Sequence, residues 1–194
     1  MVEKLVNNLV GRMVREKLID DKMREEYIYV LQIYLEKIVT IGSILLISIF
    51  LGCLFQTILF LLFFTGLRQR TGGYHANTFL LCYLESVGTY IIIFFINPIL
   101  AENGLVVYVG VIIASAIICL IGTVNHPCMH MSKEELLESK KIAKQVLAIE
   151  LFVICLAGLL NVEMIIISYM ATAVMLCAVL LIISKILRQE VRDV

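Results

Sequence analysis

His75 and Cys82 stand seven residues apart in RQRTGGYHANTFLLC, a polar stretch set between two long apolar runs. A Cys–His pair can act as nucleophile and base. The thiolate is the reactive form, an adjacent imidazolium stabilises it against burial, and the imidazole can return the proton to a leaving amine. Seven residues make almost two helical turns. A helix beginning near Tyr74 would therefore put both side chains on one face but roughly 10 Å apart along the axis, too far for direct hydrogen bonding. A helix beginning instead at Thr78, a suitable N-cap, would let Gly72 and Gly73 fold the preceding turn back so that the imidazole reaches the thiol.

The neighbours of this pair have their own chemistry. Arg68 and Arg70 are ordinary basic anchors at a membrane edge, and a guanidinium fork also suits a carboxylate of an acidic peptide. Glu85, three residues past Cys82, lies inside the following apolar run, where a carboxylate is expensive and by default a functional candidate. It could orient His75, pair with an arginine or be protonated, and the arginine pair ranks first. Ser86, Asn77 and Thr78 are further candidate helpers. A second cluster, NHPCMH, offers His126, Cys128 and His130 as soft metal ligands. Its spacing fits no standard zinc pattern and no fourth ligand is evident. A plain loop is the better reading, leading to a helix capped by Ser132 with Glu135 at its third position. No metal or other cofactor is expected. The remaining cysteines read as small buried hydrophobes without a disulfide framework.

These residues need elements to position them. The chain has 194 residues, 61% of them hydrophobic, which points to the bilayer rather than to a soluble domain. Net charge is zero, and no nucleic-acid partner is expected. Apolar runs occupy about 38–54, 55–67, 79–100, 104–122, 143–160 and 162–184. Most approach the ~20 residues that span a bilayer. The second is short, covering only roughly 20 Å as a helix. All 16 Lys and Arg fall on one side of this arrangement. They precede the first run, follow the second (Arg68, Arg70), separate the fourth from the fifth (Lys133, Lys140, Lys141, Lys144) or follow the sixth. The positive-inside rule then gives six spans with both termini cytoplasmic, and puts the polar hairpin 68–82 on the cytoplasmic side. The lysine group after Ser132 could attract lipid headgroups or an acidic peptide tail.

Residues 1–37 carry no signal-peptide pattern. Val2, Leu5, Val6, Leu9, Val10, Met13 and Val14 recur at helical spacing, which predicts an amphipathic helix on the membrane surface or against the other helices. Asp20 or Asp21 would cap a second helix, with Glu25 and Glu26 in its first turns, running on into the first span. The expected architecture is all-α. One membrane-embedded domain covers 1–194, with amphipathic N-terminal helices over 1–37 and a transmembrane core over 38–187.

Arg68, Gly73, His75 and Cys82 form the pattern RxxxxGxHxxxxxxC at a cytoplasmic membrane boundary, in a chain of this length with an amphipathic start and a lysine-bearing loop. The chain thereby resembles the accessory gene regulator B (AgrB) family of quorum-sensing membrane peptidases of Gram-positive bacteria. The resemblance implies a cysteine endopeptidase of the cell membrane that processes the autoinducing-peptide precursor AgrD, with Cys82 as nucleophile and His75 as base. Arg68 and Gly73 match further motif positions. It also implies removal of the acidic C-terminal tail, a thioester intermediate, and closure of a thiolactone or lactone ring within the peptide. A homodimer in contact with membrane lipids and needing no cofactor completes the expectation. The rival reading is a small non-enzymatic transporter or assembly subunit that binds an anionic solute or peptide at the arginine-bearing hairpin.

Overall fold

A computed structural model describes residues 2–74, 78–124 and 132–187. Among them the chain forms seven α-helices and no strand: α1 (Val2–Arg15), α2 (Arg24–Phe50), α3 (Leu54–Thr71), α4 (Phe79–Glu102), α5 (Gly104–Ile121), α6 (Lys133–Leu159) and α7 (Met164–Ile186). Helices α2 to α7 follow the six apolar runs in order. Five of them, all but α3, are long and apolar enough to cross a membrane. In α3 the apolar residues give way to Arg68 and Arg70 in the last turn, so its oily length stays short.

The N-terminal expectations resolve into a helical hairpin. The apolar stripe of α1 packs on α2, and Val6 and Val10 are fully buried. Asp20 accepts a hydrogen bond from the Lys22 N–H and caps a short 3-10 turn, Asp21–Met23, rather than α2 itself. From there α2 runs unbroken for 27 residues, about 40 Å. It enters the bundle as a continuation of the hydrophilic start.

Helix α7 is the central element. Every residue from Ile167 to Val174 is buried, as expected of a helix enclosed on all sides. Its small side chains, Ser168, Ala171, Ala173 and Ala178, let neighbours approach closely, which drives packing where lipid supplies no hydrophobic force. Helices α3, α4, α5 and α6 all pack on it. Several buried polar groups in this bundle are paired, although the Ser184 hydroxyl of α7 has no partner among the described residues. Thr172 donates to Asn97 at 2.9 Å, and the Tyr90 and Thr57 hydroxyls lie 2.7 Å apart.

The α3 end is tied to the α5 and α6 ends. The Arg70 carbonyl, left without a helical donor, accepts from both Thr123 and Ser139 hydroxyls at 2.9 Å. The Val124 N–H donates to the Thr71 carbonyl at 2.9 Å. Helix α6 begins with a complete capping box between Ser132 and Glu135, as its sequence signals. Replacing Ser132 with alanine is expected to destabilise the protein by about 1 kcal/mol. A lowered unfolding midpoint in detergent, with activity per folded molecule unchanged, is the measurement that checks it.

Candidate active site

The start of α4 decides where Cys82 sits. Thr78 is the N-cap, with extended backbone and its hydroxyl accepting from the Leu81 N–H at 3.4 Å. Of the two sequence alternatives, the helix start at Thr78 is therefore the one adopted. The Cys82 N–H closes the first helical bond onto the Thr78 carbonyl at 3.0 Å. Cys82 thus lies in the first turn of α4, half-buried and free of any disulfide. The positive end of the helix dipole lies at this turn. Its thiol meets the hydroxyl of Ser86, one turn on, and lies within electrostatic reach of Glu85, Glu36 and Arg68.

Three helices bring these groups together. Arg68 comes from the last turn of α3. Its Nη2 donates to the Tyr74 carbonyl, while Nη1 is buried without a hydrogen-bond partner. Gly73 makes this possible. Its φ of +123° is open to glycine, and a Cβ there would collide with the Arg68 guanidinium and stand 3.3 Å from the Leu180 carbonyl oxygen. Glu36 comes from α2 and accepts from Gln32 Nε2 at 3.1 Å. A link between the Tyr83 and Ser43 hydroxyls, 3.1 Å long, holds α4 against α2 nearby.

Glu85 is engaged differently from the first-ranked expectation. Among the described residues its carboxylate accepts from the Tyr74 hydroxyl at 3.1 Å, not from an arginine. Arg68 has turned toward its own chain at Tyr74, and Glu85 is left facing the phenol. Burial first, and then the Glu85 carboxylate, push the Tyr74 phenol above its ordinary range, so at neutral pH it remains the donor in this bond. Arg70 is exposed, and it is its carbonyl that is engaged, by Thr123 and Ser139. Of the other candidates, His75 and Asn77 lie outside the described residues, as do His126, Cys128 and His130.

Glu36 is the residue that reading the sequence missed. It sits 46 positions before Cys82 among other N-terminal carboxylates, Glu25 and Glu26, and nothing in its local pattern sets it apart. The one available signal is its place at the threshold of the first apolar run, where a carboxylate is less comfortable than in water.

A half-buried thiol at a helix N-terminus, with a guanidinium on one side and two carboxylates in reach, is equipped for nucleophilic attack on a carbonyl. It is also equipped to hold an anionic group at Arg68. The family model described as accessory gene regulator B, AgrB, matches residues 2–188. No curated protein matches the chain, and no solved structure does.

Proposed function

The chain belongs to the accessory gene regulator B family, and from that premise we propose that it is a membrane cysteine endopeptidase acting through Cys82. Membership ties the protein to the processing of autoinducing-peptide precursors, with an AgrD-type peptide as partner, and its apolar helices make it a multi-pass membrane protein. In the proposed reaction the Cys82 thiolate attacks the scissile carbonyl. The C–N bond breaks, His75 delivers its proton to the departing amine of the acidic tail, and the rest of the peptide stays on Cys82 as a thioester. A cysteine or serine side chain within the peptide then attacks that thioester. His75 takes its proton, a thiolactone or lactone closes, and the Cys82 thiol is released. Water kept away from the half-buried thiol favours ring closure over hydrolysis.

Arg68 takes a carboxylate of the tail, or the oxygen that gains charge during attack, on its unpartnered Nη1. Gly73 leaves room for that guanidinium. Arg70 and the lysines of α6 attract the acidic tail to a site facing the cytoplasm, in a six-span arrangement with both termini inside and a homodimer embedded in lipid. The observation that carries the reading is the convergence of α2, α3 and α4 on one thiol held in the first turn of a helix.

The experiment is mass spectrometry of the purified protein mixed in detergent with precursor peptides that carry an acidic tail. The expected result is an acyl adduct mapped to Cys82, together with the free tail. Tail release that proceeds equally in His75→Ala, or no adduct with any precursor, would overturn the mechanism and leave the hairpin as an anion site.

A further inference from the structure

Tyr74 is held from three helices at once. Its N–H donates to the Leu180 carbonyl of α7 at 3.2 Å, its carbonyl accepts from Arg68 of α3, and its hydroxyl donates to Glu85 of α4 at 3.1 Å. The first two ties use the backbone, so any side chain at this position could keep them. The third belongs to the phenol alone, and it reaches a carboxylate on the same face of α4 as the thiol, since Cys82, Glu85 and Ser86 stand at positions i, i+3 and i+4. A free carboxylate beside a thiol opposes thiolate formation through like-charge repulsion. A carboxylate that accepts a phenol proton has part of its charge drawn away from the thiol.

We propose that Tyr74 is a positioning residue whose hydroxyl takes up Glu85 and so keeps that carboxylate from suppressing the Cys82 thiolate. The inference rests on the reading of Cys82 as the nucleophile and needs nothing of the position of His75. The groups that bear on the thiol are then distinct in role. Arg68 favours the anion and Ser86 donates to it, Glu36 from α2 and Glu85 oppose it, and Glu85 alone of the two carboxylates accepts from a phenol. A purely structural strap makes a different forecast. If the bond only steadied the segment ahead of α4, removing either partner would do the same harm.

The test is the rate at which iodoacetamide modifies Cys82 at neutral pH, read by peptide mapping of the full-length protein in detergent. Precursor cleavage is followed in the same samples. Tyr74→Phe is expected to slow modification of Cys82 by roughly fivefold, the scale of one hydrogen bond. Glu85→Gln is expected to speed it by roughly two- to fivefold, and the double variant to follow Glu85→Gln, so that the second substitution rescues the first. Equal slowing by both single variants would overturn the proposal, as would a Tyr74→Phe rate equal to wild type. Should no variant, wild type included, cleave a precursor while the modification rates keep this order, the peptidase reading fails and the role of Tyr74 stands.

Discussion

Replacing Cys82 with alanine is expected to abolish release of the precursor tail, lowering the rate by on the order of 10^4-fold or more, as deletion of a covalent nucleophile does. In the proposed mechanism the Cys82 sulfur carries the acyl group, and a hydrolysis routed past it would give a linear peptide instead of a ring. The fold should tolerate the change, because Cys82 is only half-buried and its N–H bond to Thr78 is a backbone contact. Cys155→Ala is the control. It removes an exposed thiol from the outer surface of α6, and cleavage should stay at the wild-type level. Retained tail release in Cys82→Ala would remove the chemical role of the hairpin altogether and favour a carrier of anionic peptides. Measuring tail and ring together in the same digest separates a slowed first step from a diverted second one.

What the sequence revealed of this arrangement depended on the range over which each feature is decided. The six apolar runs became helices α2 to α7 because length and hydropathy act locally. The caps at Thr78 and Ser132 were legible for the same reason, each being a bond between residues three apart. The shortness of α3 was equally plain, since Arg68 and Arg70 interrupt it within its own length. Three other features depend on which helix meets which. Nothing local marks α7 as the centre, because its neighbours are just as apolar, and only its run of small residues hints at close packing. Glu36 comes within electrostatic reach of Cys82 only because α2 packs against α4. Glu85 has a tyrosine as partner because Arg68 is already spent on the Tyr74 carbonyl, a competition that spacing alone does not reveal.

Gly73→Ala is expected to reduce activity at least 100-fold while leaving most of the fold intact. Two separate costs fall on that one methyl group. The backbone at φ +123° is strained for any L side chain, by about 1–3 kcal/mol. The new Cβ would also occupy the place of the Arg68 guanidinium, with the Leu180 carbonyl oxygen closing the other side. The guanidinium must then leave, losing its bond to the Tyr74 carbonyl and its place beside Cys82. A displacement of about 1 Å in a catalytic group costs on the order of 100-fold. Gly88→Ala supplies the contrast within α4. A Cβ at Gly88 meets nothing within 4 Å, and alanine is the better helix former, so that variant should be as active as wild type and slightly more stable. Arg68→Lys completes the set. It keeps the charge but loses the fork, so it should fall between wild type and Gly73→Ala. A Gly73→Ala protein that cleaves within about threefold of wild type would show that Arg68 need not lie where it does, and the guanidinium would lose its assigned part in the reaction.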